Sequence, residues 1–425
     1  MTPGDDSAGP VLVREVELDD GEVNIAVPRS ATGRPYRSAQ LLVRLHGEPL
    51  GTVTVPVSGH RLDDSCDQRI RSQLAARIRA HRAADEALDP STGVICTTRA
   101  RRGSPRMPSI SVVVPTCNRL TTLVPCLDAI LRSSVTPDEV IVVENRPAGS
   151  AVAAELAARH GGDPRVRYVE EPRAGVSWAR NRGLAAVHGE IVAFVDDDVI
   201  VDEDWLAGIC LAFAENPGAA CVTGLILPVE LEWPAQLWVE QYGGFSKGFE
   251  RIVFNDRRRD VDPLYPYSCG RFGSGANAAL RTAVARELGG FDVALGGGAG
   301  VNTGEDIDLF LRLMLSGHTL VYEPTALVWH RNRRSLGELR HQLFHYGRGL
   351  AAVMTKQLLD GPQRGEMVRR IPAGMSYLLS PGSHKNQHRR RDYPRHLAAL
   401  ELLGMVTGPP AYVMSRRRAG ALTTR

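Results

Sequence analysis

From residue 108 onward the sequence alternates short β-branched apolar runs with amphipathic stretches, and few folds accept that rhythm. SISVVVP is followed by TTLVPCLDAILRS, DEVIVVE by AVAAELAARHG, VRYVEE by GVSWARNRGLAAVHG, and EIVAFVDDD by DWLAGICLAFAEN. Continuous apolar strands are buried on both faces, and helices between them make the strands parallel. The pattern predicts a doubly wound α/β sheet, in which ligands bind outside the carboxyl ends of the strands. Those exits are Pro115–Arg119, Glu144–Arg146 and Asp196–Asp198.

Three carboxylates in a row at the third exit, FVDDDV, need a cause. Like charges a few ångströms apart repel, and leaving a strand takes one turn residue rather than three acids. The stretch therefore expects a positive partner. The competing reading is a solvated turn whose acids gain about 0.3–1 kcal/mol at the start of the next helix, a task that one aspartate completes. No GxGxxG follows the first strand and no GxxxxGK[ST] occurs, so the glycines that cradle phosphate in dinucleotide and P-loop sites are missing. LGGGAGVNTG (Leu295–Gly304) has neither spacing and reads as a mobile loop ahead of a helix. No repeat of about 20–50 residues recurs, which excludes solenoids and propellers.

Ahead of this pattern, VLVREVEL, QLLVRLHG and TVTVPV, turning at Glu48–Gly51, predict a small β-rich unit. A helix over Arg69 to about Ala87 and the basic linker TTRARRGSPRMPS follow. Three parts result: an accessory module plus linker (1–105), the α/β domain (106–360) and a tail (361–425). With 425 residues, 43% hydrophobic and 23% charged, the chain reads as globular with more than one domain. From Arg364 onward twelve Lys/Arg stand against three acids, so the tail carries +9 and the remainder −6 of the net +3. Basic tails seek anionic surfaces.

Within the tail, HLAALELLGMVTGPPAYVM is interrupted by Glu401 and Pro409-Pro410, which argues against a spanning helix of about 20 apolar residues. Arginine triplets at 389–391 and 416–418 flank it. It suits either the plane of an anionic membrane interface or a helix packed on the α/β domain with a solvated basic end. Seven cysteines lack CxxC spacing, and MTPGDDSAGP has no basic or apolar leader region. The expected location is the cytoplasm, with the tail allowing a peripheral position on the membrane face.

The motifs together carry a resemblance. SVVVPTCNR, VVEN, RAGVSWARNRG, FVDDDV, FGSGANAALR followed by ELGGFD, GEDIDL and VWH, in this order over about residues 108–350, resemble the family 2 glycosyltransferases, among them the bacterial, non-processive members. The resemblance implies a GT-A-type fold: a doubly wound, mostly parallel α/β sheet, here with a small β-rich N-terminal module and a basic helical C-terminal tail. It implies that Asp196–Asp198 form the DxD element, with Asp198 a ligand of Mn²⁺ or Mg²⁺, Asp196 a ribose or metal-shell contact, and Asp197 beside the donor nucleotide without a settled role. A hard ion that also binds a donor diphosphate needs few protein carboxylates.

Asp306, the second acid of GEDIDL, is implied as the general base for an acceptor hydroxyl, a role worth about 10²–10⁴-fold, with Glu305 beside the donor sugar or acceptor. Helix capping is the competing role for these acids. His330 of VWH is implied as a further metal ligand, although a strand-end histidine alone reads as structural. Pro115, Thr116, Asn118 and Arg119 at the first exit, and Glu144 at the second, are implied to line the base and ribose pocket. Glu144 is one methylene longer than the family's usual aspartate, and its other reading is a solvated strand end. Arg180 and Asn181 are implied near the diphosphate, and Gly275 and Asn277 of GSGAN near the donor sugar and acceptor.

The resemblance thus implies a metal-dependent, inverting transfer of one sugar from a nucleotide-diphosphate sugar to a glycan or lipid-linked acceptor of the cell envelope. The QxxRW element of processive synthases is missing, and HQLFHYGRG stands where it would be sought. Two rival readings remain. A non-catalytic nucleotide- or glycan-binding protein would need no positioned base, and a nucleotidyltransferase would want a glycine-rich loop where PTCNR stands. Nucleic acid is not an expected partner: Arg257–Arg259 is basic, but aromatic residues are 6% of the chain and are not interleaved with it.

Overall fold

The computed structural model describes residues 9–18, 25–86, 108–149, 151–255, 264–361, 363–380, 382–383, 386, 389 and 393–423. Arg257–Arg259 and residues 97–107 of the linker lie outside the described residues. The N-terminal module comprises β1 (Val11–Glu17), β2 (Ser38–Leu45), β3 (Glu48–Ser58), β4 (Arg61–Leu62), α1 (Cys66–Gln73) and α2 (Ala75–Glu86). Its four strands lie in chain order, with β1 parallel to β2 and β2–β3 an antiparallel hairpin. The hairpin turns at His46-Gly47, earlier than the expected Glu48–Gly51, and both turn residues have positive φ (52° and 79°). Such two-residue turns match the right-handed twist of the strands. Leu41, Val43, Val53 and Val55 pack with Ile70 and Ile78 of the two helices. The module is docked on the rest of the chain: Arg44 pairs with Asp202, Tyr36 donates to Glu232, and Val11 N–H donates to the Leu231 carbonyl.

The second sheet is built from β5 (Ile110–Thr116), α3 (Leu120–Leu131), β6 (Glu139–Asn145), α4 (Ala151–His160), β7 (Val166–Glu171), α5 (Val176–Ala186) and β8 (Ile191–Val195). There follow β9 (Val199–Val201), α6 (Trp205–Glu215), β10 (Ala219–Pro228), α7 (Pro234–Tyr242), β11 (Ile252–Phe254), β12 (Asn277–Arg281), α8 (Thr282–Glu287), α9 (Glu305–Leu315) and β13 (Thr319–His330). Strand order is β11-β13-β10-β12-β8-β5-β6-β7, with β9 on β13. Strands β7, β6, β5 and β8 are parallel, as their intervening helices require. Strand β12 runs against both neighbours, β8 and β10, so this half of the sheet is mixed. Val112 and Val114 enter one apolar layer with Leu123, Trp205 and Ile209, while Val113 between them enters the opposite layer with Phe194, Phe291 and Phe310. That alternation is what burial on both faces demands of a continuous apolar strand.

The chain continues in α10 (Leu336–Asp360), α11 (Arg364–Leu379) and α12 (Arg395–Thr423). Helix α12 runs unbroken through Pro409-Pro410, where the sequence argued for an interruption. Its Glu401 is buried rather than solvated, accepting from Tyr242 at 2.6 Å and Arg389 at 3.4 Å. Glycines bring α12 against α10: a Cβ on Gly404 would stand 1.9 Å from the Phe344 carbonyl oxygen, and one on Gly347 1.9 Å from that of Glu401. One face of α12 is therefore docked, while Leu402, Leu403, Val406 and Met414 remain exposed. Arg395–Ala421 is long and apolar enough to cross a membrane by length and composition. The glycine loop expected to be mobile is held on two sides. Gly297 carbonyl accepts from Val176 N–H at 2.8 Å, Leu295 carbonyl from the Ser177 hydroxyl at 2.9 Å, and Gly300 N–H donates to Ser415 Oγ of α12 at 3.3 Å.

Candidate active site

Strand β8 ends at Val195, and the three aspartates that follow find three different surroundings. Asp196 accepts from Arg180 at 2.7 Å. Asp197 is buried, accepting from the Thr116 hydroxyl at 2.7 Å and Arg119 at 3.2 Å. Burial, with Asp198 adjacent, pushes its carboxyl up to about 6 against these two donors. Asp198 meets Arg119 at 3.4 Å, Arg333 at 4.0 Å and His330 Nε2 at 3.5 Å.

The pair Asp198–His330 tests whether a metal would fit. His330 Nδ1 lies 2.9 Å from Asn332 Oδ1, and the other end of that amide points to Glu240 at 3.4 Å. An amide oxygen only accepts, so Nδ1 donates to it, which leaves Nε2 directed at the Asp198 carboxylate, able to ligate a cation through its lone pair when the ring is neutral. A carboxylate oxygen and an imidazole nitrogen 3.5 Å apart can ligate one cation together, and an outer partner fixing the ring is the usual arrangement for a ligating histidine. Asp198 and His330 can therefore hold Mn²⁺ or Mg²⁺, and the imidazole favours Mn²⁺.

Arg180, on α5, is 2% exposed. Its fork is divided between Asp196 at 2.7 Å and Glu305 at 2.6 Å, with the guanidinium 5.3 Å above the Phe291 ring. It reaches no open space for a phosphate and instead ties the aspartate turn to α9. Burial works against its charge, but Asp196 and Glu305 outweigh burial and keep it protonated. Glu305 is pushed up to about 7 by burial, opposed by Arg180. Its Oε2 is buried with no hydrogen-bond partner among the described residues.

Asp306 opens α9 beside it. Its Oδ2 accepts from Gly275 N–H and its Oδ1 from Ile307 N–H, both at 2.8 Å. Only glycine fits at 275, because a Cβ there would lie 2.8 Å from Asp306 Cβ. Tyr346 of α10 accepts from Gln342 at 2.6 Å. Burial pushes the Tyr346 hydroxyl up to about 12, with the charges of Asp306 and Asp198 adding. Tyr346 and Gln342 escaped the sequence reading. Their signal was faint: polar residues in HQLFHYGRG interrupting the apolar face of a helix.

Glu144 is fully buried rather than solvated, because β6 lies between β5 and β7. The Tyr168 hydroxyl donates to its Oε2, and Oε1 has no hydrogen-bond partner among the described residues. Pro115 and Thr116 are buried at the end of β5, opposite Val143 and Glu144. Asn118 and Arg146, with φ of 55° and 52°, face each other across the rim, the Asn118 amide 3.5 Å from the Arg146 carbonyl. Asn181 turns away from the aspartates, bonding the N–H and carbonyl of Phe291 at 2.8 Å each. Asn277 is 1% exposed and spends its amide inside the sheet, on Trp205 Nε1 (2.8 Å) and the carbonyls of Leu225 (3.1 Å) and Ala326 (2.8 Å). Gly275, Glu305 and Asp306 are thus brought together with Asp196–Asp198 and His330, while the side chains of Asn181 and Asn277 are not.

An α/β sheet with acids at its central strand exit and a carboxylate heading a helix behind a glycine loop is the architecture of the GT-A-type glycosyltransferases. Residues 111–289 match the Glycosyl transferase family 2 model. This part of the chain is a family 2 glycosyltransferase domain. The chain is 29% identical over 259 residues to the pre-mycofactocin glycosyltransferase of Mycobacterium tuberculosis, covering 59% of this chain and 50% of that one. It is 32% identical over 214 residues to the succinoglycan biosynthesis protein ExoM of Rhizobium meliloti, covering 49% and 62%. The chain spans about half the length of the first of these relatives and less than two thirds of the second. Among solved structures, the mannosyltransferase PcManGT from Pyrobaculum calidifontis, in complex with GDP-Man and Mn²⁺, is similar at 19% identity and a TM-score of 0.46, over 83% of this chain and 91% of that one.

Proposed function

We propose that the chain is an inverting glycosyltransferase that moves one sugar from a nucleotide-diphosphate sugar to a hydroxyl acceptor. The observation that carries this reading is Asp198 Oδ1 facing His330 Nε2 at 3.5 Å. A Mn²⁺ or Mg²⁺ ion held there would neutralise charge on the departing nucleoside diphosphate. Asp306, held by Gly275 N–H and the head of α9, takes the proton of the acceptor hydroxyl as that oxygen attacks the anomeric carbon opposite the leaving group. Arg180 keeps Asp196 and Glu305 in register with each other. Pro115, Thr116, Asn118, Arg119 and Glu144 line the base and ribose side, where the unpartnered Glu144 Oε1 is a buried acceptor suited to a nucleobase N–H.

The acceptor we infer is a glycan or lipid-linked saccharide of the cell envelope, met at the cytoplasmic membrane face. Support comes from α12, whose exposed Leu402, Leu403, Val406 and Met414 precede the basic Arg416–Arg418. Because α12 is docked along its other face, deletion would unseat more than a membrane contact. Leu403→Glu with Val406→Glu, at positions 54% and 74% exposed, is the cleaner variant, and unchanged sedimentation with anionic liposomes would remove the membrane reading.

Thermal shift and calorimetry against UDP, GDP, dTDP and CDP, each with Mn²⁺, Mg²⁺ or EDTA, test the donor site. We expect one diphosphate to stabilise the protein only with metal, and Asp198→Ala to abolish the effect. Absence of binding to any diphosphate with any metal refutes the reading. Metal-dependent nucleotide binding without transfer to any acceptor would favour a non-catalytic binding protein instead.

A further inference from the structure

The N-terminal module holds a cluster that the glycosyl-transfer site does not use. His46 stands in the β2–β3 turn, and His81 and Asp85 are one helical turn apart on α2. His46 Nδ1 lies 3.1 Å from His81 Nε2 and 3.0 Å from Asp85 Oδ2, and His81 Nε2 lies 3.1 Å from the same Asp85 oxygen. Three donor atoms thus form a nearly equilateral triangle. Behind it, His81 Nδ1 faces Glu48 Oε2 at 2.9 Å. The side chains are 27%, 5% and 11% exposed for His46, His81 and Asp85, so the triangle opens on the His46 side.

With both imidazoles neutral, hydrogen bonding does not satisfy this triangle. An ionised Glu48 only accepts, so His81 Nδ1 is the donor and Nε2 of the neutral ring bears a lone pair. That lone pair then faces an Asp85 oxygen that is also electron-rich. His46 Nδ1 has one proton to give, which leaves at least one of the three contacts repulsive. Either a second proton on His81 or a cation shared by all three atoms resolves it.

We propose that His46, His81 and Asp85 bind a borderline divalent transition metal ion, with Glu48 orienting His81. Imidazole and carboxylate together suit Zn²⁺, Co²⁺ or Fe²⁺ rather than Mg²⁺ or Ca²⁺. An ion about 2.1 Å from each donor atom would stand about 1 Å off the triangle, with ligand angles near about 90°. That is a facial arrangement of two histidines and one carboxylate, with further positions left to water or a ligand. A carboxylate on the second nitrogen of a ligating histidine is the usual outer support, worth about 10–100-fold in affinity. The ion would clip the hairpin turn to α2 at the side of the module where Arg44, bonded to the Gly47 carbonyl, pairs with Asp202.

The test uses the full chain carrying Asp198→Ala and His330→Ala, so that the glycosyl-transfer site contributes no ion, and Zn²⁺ or Co²⁺ alone as the probe in equilibrium dialysis with metal analysis. We expect one equivalent bound, resistant to millimolar Mg²⁺. Adding His46→Gly should abolish it. That variant is chosen because glycine accepts the positive φ of position 46 without strain, so its melting in EDTA should be no lower than the parent's. Glu48→Gln should weaken binding about 10–100-fold. Undiminished binding in the His46→Gly chain, displacement by Mg²⁺, or no binding by the parent would each overturn the proposal, the last leaving a doubly protonated His81 as the resolution.

Discussion

Asp306 and Asp308 sit within one turn of the same helix and have opposite surroundings. Asp308 is fully buried and is met by Arg312 at 2.8 Å and by Lys356 at 2.9 Å, which also reaches Asp292 at 2.7 Å. Two carboxylates and two cations close that cluster within the chain. Asp306 shares its surroundings with Asp196, Asp197, Asp198 and Glu305, against which stand Arg119, Arg180 and Arg333. Among the described residues just named, five acids meet three arginines. Burial relieves part of the excess by favouring protonated Asp197 and Glu305, raised to about 6 and about 7. An internally balanced cluster fixes structure, while an unbalanced one at a strand exit keeps a place for something positive.

The contrast can be broken most directly at Asp306. Asp306→Asn should lower kcat by about 10²–10⁴-fold with melting temperature and donor affinity unchanged, read by steady-state transfer assays beside thermal melts. Asp308→Asn should do the reverse. It leaves Arg312 without its buried carboxylate and Lys356 with Asp292 alone, at a cost of about 3–5 kcal/mol in urea unfolding, while the folded fraction still binds donor. If Asp308→Asn impairs turnover and spares stability, the division between the clusters is wrong.

Gly275→Ala sharpens the point. A methyl 2.8 Å from Asp306 Cβ must displace that carboxylate, and a shift of about 1 Å costs about 10²-fold in kcat/KM, with less effect on nucleotide binding. The smallest effect is expected on the closed cluster in acid. Burial would raise the Asp292 carboxyl, but Lys356 and Tyr412 hold it below the usual carboxylate range. A depressed carboxyl contributes stability above its unfolded value, about 3.9, and loses it as pH falls through the folded value. Docking of α12 through Tyr412 should therefore weaken only below about pH 4. Asp292→Asn should flatten that dependence in pH-resolved near-UV circular dichroism.

What could be read in advance followed from local pattern. Runs such as SVVVP and EIVAFV announce parallel strands because burial on both faces leaves no other composition, and FVDDDV announces a site because repulsion has to be answered. Long-range pairing was illegible. Nothing in SWARNRG says that Arg180 turns inward to join residues 196 and 305, since helical spacing alone would put it in solvent. Asn277 lies in a motif that reads as pocket lining, yet its amide closes gaps between strands, a role visible only once β10, β12 and β13 are neighbours. His46 and His81 are 35 residues apart with no spacing rule to link them, and the hairpin turn that carries His46 was placed one pair of residues late.

The glycine contacts between α10 and α12 have a mechanical side. With the carbonyls of Phe344 and Glu401 under Gly404 and Gly347, neither helix can slide along the other without a backbone collision. The pair behaves as a single strut. One helix carries Tyr346, which accepts from Gln342, and the other carries Ser415, which accepts from Gly300 N–H and donates to the Ala294 carbonyl. A force on the outer side of α12 would be transmitted to the loop in front of Asp306 rather than absorbed, so the mechanical unit around the aspartates extends well beyond the sheet that carries them.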